Sequence, residues 1–143
     1  MSFDFKLTNG DFELSRAGVP AVVRDENKLR QDLLKIILTP IGANKRYPWY
    51  GSSINSSLVG RLLDPKLFDS EANSILEFAI NNLIRLQKDQ EKSGQFLTPA
   101  EAISQIVEIA VERSRFDGRQ YNIFVTVSTR RSNVVTETFA LTA

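Results

Sequence analysis

Residues 121–141 read YNIFVTVSTRRSNVVTETFAL, and this stretch decides the fold class. Apolar residues stand at every second position in its first part: Tyr121, Ile123, Val125 and Val127. That period is typical of a strand with one buried face. The pair Ser132-Asn133 favours a turn, and β-branched and aromatic residues dominate the stretch 134–141 that follows. The stretch therefore predicts two antiparallel strands.

A third strand precedes this pair. Its apolar residues again stand at every second position: Val107, Ile109 and Val111. A helix would place Glu108 and Glu112 four residues apart, where like charges repel, so a strand is preferred. Asp117-Gly118 turns the chain into the next strand. Residues 98–101 read TPAE, which matches a capping box. Residues 99–143 are therefore predicted to form a capped helical turn and a three-stranded antiparallel sheet.

The middle of the chain, residues 25–92, is predicted to be helical. Asp25 is expected to cap a first helix that ends at Thr39-Pro40. A long helix of about 20 residues follows from apolar residues at helical spacing: Phe68, Ala72, Ile75, Ala79, Leu83 and Leu86. Between them, three apolar residues predict a short helix that ends at Asp64-Pro65: Ile54, Leu58 and Leu62. A polar break is expected after the long helix, from 88 to 95.

Residues 39–51, which connect the first two helices, read TPIGANKRYPWYG. Two prolines, two glycines and three aromatic side chains in so short a segment predict an ordered loop of fixed shape. Gly42 and Gly51 are expected to permit positive φ or close backbone approach, and Pro48 stiffens the loop between them. A purely structural use of these residues remains an alternative to a binding surface.

The first residues predict a β-hairpin. Asn9-Gly10 is a strong hairpin signal, and it separates alternating apolar residues: Phe3, Phe5, Leu7, Phe12 and Leu14. A lone hairpin is marginally stable, so residues 1–16 are interpreted as an attachment whose apolar face rests on the domain or on a neighbour. The whole chain, 1–143, is thus predicted to be one α+β domain, with a hairpin, a helical middle with one long helix, and a C-terminal sheet.

Composition excludes several classes of function. The 143 residues carry a net charge of +1, which favours neither nucleic acid nor membrane as a partner. The sequence has no cysteine and no histidine, so disulfides, thiol nucleophiles, usual zinc sites and imidazole proton shuttles are excluded. No signal peptide or membrane-spanning stretch is recognisable, and synthesis in a cytoplasm is expected. We expect no enzymatic activity, cofactor or metal.

The segment 33–58 resembles a known family. Its residues 34–42 read LKIILTPIG, Arg46 and Pro48 follow, and residues 50–54 read YGSSI. This order is similar to the signature of the baseplate wedge family of contractile phage tails, at times labelled lysozyme-like and shared with type VI secretion baseplates and extracellular injection systems. The resemblance extends from Val23 to the end of the chain. A Glu-Pro-Arg triplet that many family members carry after the long helix is missing, so its docking role is not carried over.

The resemblance implies a structural subunit of the virion, assembled in the host cytoplasm, with sixfold-related copies in the baseplate. Its expected partners are other baseplate wedge proteins and the tail sheath protein. The loop would supply the anchor types that are enriched at interface hot spots: Gly42, Arg46, Tyr47, Pro48, Trp49, Tyr50 and Gly51. The last strand would template sheath assembly by strand addition, through Val134, Thr136, Thr138 and Phe139. Whether the parent machine is a phage, a tailocin or a secretion-type injector stays open.

Two other functions remain as alternatives. A lysozyme-like enzyme needs two carboxylates that face each other across a cleft, and the candidates fall on or beside the long helix: Asp64, Asp69, Glu71 and Glu77. The spacing of these carboxylates is that of an ordinary solvent-exposed helix face. Lys45-Arg46 beside three aromatics could bind single-stranded nucleic acid, but no basic stripe continues beyond them.

Overall fold

The structure is a computed structural model that describes residues 3–9, 11–61 and 63–142. In these ranges the chain forms, in order, β1 (Asp4–Phe5), β2 (Leu7–Thr8), β3 (Asp11–Phe12), β4 (Val22–Val23), α1 (Asp25–Leu38), α2 (Ile54–Ser57), α3 (Pro65–Lys92), β5 (Ile103–Arg113), β6 (Gln120–Thr129) and β7 (Val134–Thr142). The α+β class is confirmed, with N-terminal strand pairs, a helical middle with one long helix, and a C-terminal three-stranded antiparallel sheet.

The N-terminal segment forms two strand pairs. The predicted hairpin is present, since β2 and β3 pair with Leu7 opposite Phe12. Asn9 adopts a φ of 53°, as hairpin turns require, while Gly10 lies outside the described residues. In addition, β1 pairs antiparallel with β4, which follows the hairpin. Sequence analysis did not predict this second pair, which draws residues 4–23 into one small unit.

The start of α1 differs from the prediction. Asp25 is the first helical residue, with a φ of 53°, and no side chain caps the helix at Arg24. The Asp25 carboxylate instead accepts a hydrogen bond from the Thr98 hydroxyl, at 2.7 Å. The predicted cap is therefore wrong, because a distant segment competes for its oxygen. At that segment Glu101 accepts from the Thr98 N–H at 3.1 Å, as one half of a capping box does.

The two later helices have other lengths than predicted. α2 ends at Ser57, soon before Gly60, which adopts a φ of 75° that an ordinary helix cannot continue. The Leu62 position of the predicted second helix lies outside the described residues. α3 has 28 residues rather than about 20, so the predicted polar break at 88–92 is helical. Lysine and glutamate are good helix formers, and apolar spacing does not detect a solvated last turn.

The C-terminal sheet has the order β5-β6-β7 and is antiparallel throughout. Alternate residues of β6 are buried, from Tyr121 to Thr129, so one face of the sheet packs on the helices. Phe68 of α3 stacks on Tyr121 with 3.7 Å between ring centroids. The core lies between this face, α1 and α3, and the other face of the sheet carries no layer within the described chain.

Two glutamine side chains join helices to extended segments. The buried Gln87 of α3 donates to the Glu101 carbonyl and accepts from the Ile103 N–H, each at 2.9 Å. Gln31 of α1 makes the same pattern at the N-terminus: it donates to the Phe5 carbonyl and accepts from the Leu7 N–H. Each amide therefore replaces the peptide group of a neighbouring strand. None of the helices in the described part of the chain has the length and apolar content needed to cross a bilayer.

Gln87→Met should destabilise the fold by about 2–4 kcal/mol, because it leaves a buried N–H and a buried carbonyl unpaired. Urea denaturation measures this free energy of unfolding. Gln90→Met, on the same helix at a partly exposed position, is the matched control and should change stability by less than about 0.5 kcal/mol. Equal effects of the two substitutions would contradict the role given to Gln87.

Candidate functional site

The loop 39–51 is closed at its base by backbone hydrogen bonds. The Ser52 N–H donates to the Thr39 carbonyl at 2.8 Å, and the Ile41 N–H donates to the Ser52 carbonyl at 3.3 Å. Further out, the Gly42 N–H donates to the Pro48 carbonyl at 3.1 Å. These bonds hold both ends and the middle of the loop together, so its shape is fixed by the chain itself.

Gly51 makes this closure possible. Its φ is 121°, and a Cβ there would lie 2.4 Å from the Thr39 carbonyl oxygen. Only glycine allows the two backbone segments to approach so closely. Gly42 also has a positive φ, 88°, but no atom lies within 4 Å of its Cβ position. Glycine is therefore needed at the two positions for different reasons. Position 42 requires it for the positive φ alone, and position 51 requires it for the positive φ and for the close approach of Thr39.

The aromatic side chains of the loop face in different directions. Tyr50 is half-buried against the core, and burial, together with the charges of Asp32 and Asp4, raises its pKa to about 12. Trp49 packs edge-to-face against Tyr47, with 5.5 Å between ring centroids. Tyr50 thus serves mainly to anchor the loop, while Trp49 and Tyr47 form an aromatic pair that is only partly exposed.

Two residues of α3 hold Trp49 in place, and sequence analysis missed both. The Arg85 guanidinium lies 4.4 Å from the centroid of the Trp49 ring. The Asn82 side-chain amide donates to the Trp49 carbonyl at 3.2 Å. Asn82 and Arg85 are three residues apart on a predicted helix, so they share a face, but only the fold reveals that the loop packs there. Since Arg85 covers one ring face, Trp49 is poorly placed to stack on a nucleic-acid base.

Arg46 and Pro48 are among the exposed residues of the loop, together with Lys45 and residues 40–43. Their position is set by Asn44, whose side-chain oxygen accepts from the backbone N–H groups of Arg46 and Tyr47 at 3.0 and 3.1 Å. The Arg46 guanidinium lies 5.6 Å from the Tyr47 ring centroid. The loop therefore presents two cations, Lys45 and Arg46, and a proline beside two partly exposed aromatic rings.

The predicted binding residues of β7 divide between the two faces of the sheet. Val134, Thr136 and Thr138 are exposed on the face that the helices leave open. Phe139 lies on the opposite face, where it is partly buried against the core. The strand period of two places Phe139 there. Its side chain is a packing residue of this domain, whereas the other three belong to an exposed surface.

The outer edge of β7 has backbone groups that do not face β6. The Thr129 N–H donates to the Asn133 carbonyl. The backbone N–H and carbonyl groups of odd-numbered residues in β7 therefore point toward β6, and those of the even-numbered residues, Val134 to Thr142, point away from it. Two of the outward carbonyls have partners: Thr136 accepts from the Arg30 guanidinium, and Thr142 from the Gly60 N–H at 3.4 Å. Among the described residues, neither the N–H nor the carbonyl of Ala140 has a hydrogen-bond partner at this edge, so another strand can pair there.

A group of charged side chains ties the N-terminal strands to α1. Lys35 Nζ lies 2.6 Å from the Asp4 carboxylate and 4.0 Å from that of Asp32, which also binds Lys28 at 2.8 Å. Burial raises the pKa of Asp32, against the charge of Lys28. Partial burial acts in the same direction on Asp4, but hydrogen bonds and the charge of Lys35 hold its pKa below the ordinary value. Each carboxylate is matched to a lysine, as in a structural ion-pair network.

The carboxylates considered for a lysozyme-like reaction do not form a facing pair. Asp64 accepts from the Lys66 N–H as the cap of α3, and Asp69 accepts from the Asn73 side chain at 2.9 Å. Glu71 and Glu77 lie further along the same helix, and the helix rise separates the ends of the set by about 20 Å. Throughout the described ranges, no group of three or more acidic side chains is placed to hold a metal ion.

The fold has a counterpart among solved structures. It is similar to the crystal structure of a Geobacter sulfurreducens protein named "putative tail lysozyme", with a TM-score of 0.58 over 92% of this chain and 96% of that chain. The two sequences are 11% identical, so the likeness establishes a shared fold. No protein-family model and no curated protein matches the sequence.

Gly51→Ala should open the base of the loop, because the added methyl group meets the Thr39 carbonyl. The matched control is Gly42→Ala, which should cost only the strain of a positive φ, about 1–2 kcal/mol. We expect Gly51→Ala to cost at least about 2 kcal/mol more. Urea denaturation measures both values, and the emission of Trp49, the single tryptophan, reports on the loop. Identical emission spectra and stabilities would contradict the steric role of Gly51.

Acid should weaken the attachment of the N-terminal strands through Asp4. Its pKa lies below the ordinary value of 3.8, so the stabilisation is complete above that value and is lost as the pH falls through the folded-state pKa. Wild type should therefore be more stable than Asp4→Asn at pH 7, and the difference should shrink as the pH falls below 3.8 and through the folded-state pKa. Urea denaturation across this range tests it. Asp11→Asn, exposed on β3, is the control, and a pH-independent difference for Asp4→Asn would contradict the assignment.

Proposed function

We propose that this chain is a structural baseplate wedge subunit of a contractile phage-type tail, which docks to other wedge proteins and templates sheath assembly by strand addition. The observation that carries the proposal is the outer edge of β7. This strand of nine residues pairs without interruption to β6 on one side, and its other side offers outward N–H and carbonyl groups. The fold shared with a protein whose name refers to a tail supports the same setting.

The loop 39–51 is the second surface of this proposal. Its closed base and the clamp of Asn82 and Arg85 on Trp49 fix Arg46 and Pro48 in place before any partner arrives. Rigid anchors lose little conformational entropy on binding. Arginine and aromatic side chains are also the types that dominate interface energetics. The loop is therefore suited to dock on neighbouring wedge proteins, while β7 remains available to the sheath.

We propose that the chain acts without catalysis. The similar protein is named for a lysozyme, but in this chain Asp64 and Asp69 are used for helix capping and for a side-chain hydrogen bond. A glycosidase requires one carboxylate on each side of the bond that it cleaves. Assembly through backbone and aromatic surface needs no such pair. The chain is accordingly assigned to the virion tail, in sixfold-related copies, and its binding to nucleic acid or membrane plays no part.

Ala140→Pro should block sheath assembly while leaving the domain folded. The Ala140 N–H faces away from β6, so proline removes a donor from the free edge without breaking the ladder to β6. Ala140→Thr keeps the N–H and is the matched control. In electron micrographs of tails assembled with each variant, we expect baseplates to form with both but sheaths to be lost only with proline.

Two results would overturn the proposed function. Normal sheaths on particles that contain the Ala140→Pro chain would exclude strand addition at β7. Clearing of a purified peptidoglycan suspension by the isolated chain would show a muralytic enzyme instead. Urea denaturation of both Ala140 variants verifies that the proline variant is folded.

A further inference from the structure

A groove of about 890 Å³ lies beside Glu137 of β7. Leu7 and Val22 of the N-terminal strands line one side of it, and Arg30 and Leu34 of α1 also line it. A strand that paired with β7 would lie about 4.8 Å from it, on the side where Arg30, which lines the groove, meets the Thr136 carbonyl. The groove therefore adjoins the edge on which the proposed function depends.

The groove is basic. Its charged lining residues are Lys6, Arg24 and Arg30 against the single carboxylate of Glu137, a net charge of 3 − 1 = +2. Lys6 is already paired with Glu13 at 2.9 Å. Arg30 lies at a longer distance, 3.8 Å, from the Glu137 carboxylate, so Arg24 is the cation that faces the groove with the least compensation. The whole chain, by contrast, is close to neutral, with a net charge of +1, so the positive charge is a local property of this site.

Arg30 has a particular place in the groove. Its guanidinium donates to the Thr136 carbonyl at the outer edge of β7, and its Nη1 lies 3.8 Å from Glu137. The side chain remains 41% exposed, so it is accessible from the groove. An incoming strand would supply an N–H to Thr136, and Arg30 would then need a new acceptor.

We infer that this groove receives an extended, acidic segment of another protein, which joins β7 as a strand and places carboxylates on Arg24 and Arg30. In an extended segment, alternate side chains project to one face about 6.6 Å apart, which lets several carboxylates face the two arginines. This inference rests on the proposed function because both use the outer edge of β7. It adds that the partner segment is acidic.

A peptide of alternating sequence tests the inference. The probe is an acetylated, amidated eight-residue peptide, Thr-Glu-Val-Glu-Val-Glu-Val-Thr, with a fluorophore, and its counterpart has lysine in place of each glutamate. Anisotropy measures binding to the full chain at low and at high salt. We expect the acidic peptide to bind at least about tenfold more tightly at low salt, and the difference to shrink as salt screens the charges. Amide NMR signals of Thr138 and Ala140 should shift on binding.

Arg30→Gln should weaken binding of the acidic peptide about tenfold, as expected for the loss of one charge-assisted hydrogen bond. Arg24→Gln is a second variant that leaves the contact between Arg30 and Thr136 intact, and it should weaken binding in the same direction. Arg115→Gln, at an exposed position between β5 and β6, is the matched control and should bind like wild type. Equal affinity for both peptides, NMR shifts confined to β5, or tighter binding of an oligothymidine would overturn the inference.

The outcomes separate this inference from the proposed function. If the acidic peptide binds at β7 but Ala140→Pro particles acquire normal sheaths, the groove is a receptor and the sheath function is wrong. If Ala140→Pro particles lack sheaths but the acidic peptide does not bind, strand addition stands and the acidic partner is wrong.

Discussion

The architecture depends on two glutamine side chains, Gln87 and Gln31. Each hydrogen-bonds to the backbone of an extended segment, as a neighbouring strand would. Gln87 satisfies the backbone where the chain enters β5, and Gln31 does the same for the segment between β1 and β2. The backbone groups bound by Gln87 are buried and would otherwise lose their water without gaining a partner. Each glutamine thus fixes the position of an extended segment on a helix, one at either end of the domain.

The two long helices can cover only one face of a three-stranded sheet, which decides where interactions with other molecules are possible. The inner face packs on α1 and α3, and the outer face carries no layer within the described chain. At the β7 edge, the Thr136 and Thr142 carbonyls already accept hydrogen bonds from Arg30 and Gly60. The edges differ, however. β5 shows two register shifts against β6, between Ile103 and Gln105 and between Ile106 and Glu108, and such irregularities discourage further pairing. β7 is regular along its length, which makes it the better template.

Much of this fold could be predicted from the sequence, because burial leaves a periodic trace. Alternation predicted β5 and β6, β-branched and aromatic content predicted β7, and helical spacing predicted α3 from Phe68 onward. Long-range pairing leaves no such trace, so the contact of β1 with β4 was missed. For the same reason the cap at Asp25 was predicted wrongly, since its partner, Thr98, lies 73 residues away. The spacing of apolar residues also underestimated the length of α3, because its last turns are polar.

The candidate site was predicted in part. The loop 39–51 is ordered, as its composition indicated, but its contacts with Asn82 and Arg85 depend on the packing of a separate helix. On β7 the prediction grouped Phe139 with its exposed neighbours, although the strand period alone places it on the other face from Thr138. Residues chosen for their chemical type therefore need the register before they can be assigned to a surface.

The closed base of the loop 39–51 has a consequence for the order of events in assembly. The hydrogen bonds among Thr39, Ile41 and Ser52 form when the chain folds. The conformational entropy of this loop is therefore lost during folding and not during association. Encounters with a neighbour can then succeed at the first correctly oriented collision, with no waiting for a rare conformer. Under the proposed function, docking of this loop would therefore proceed at a rate set by diffusion and orientation.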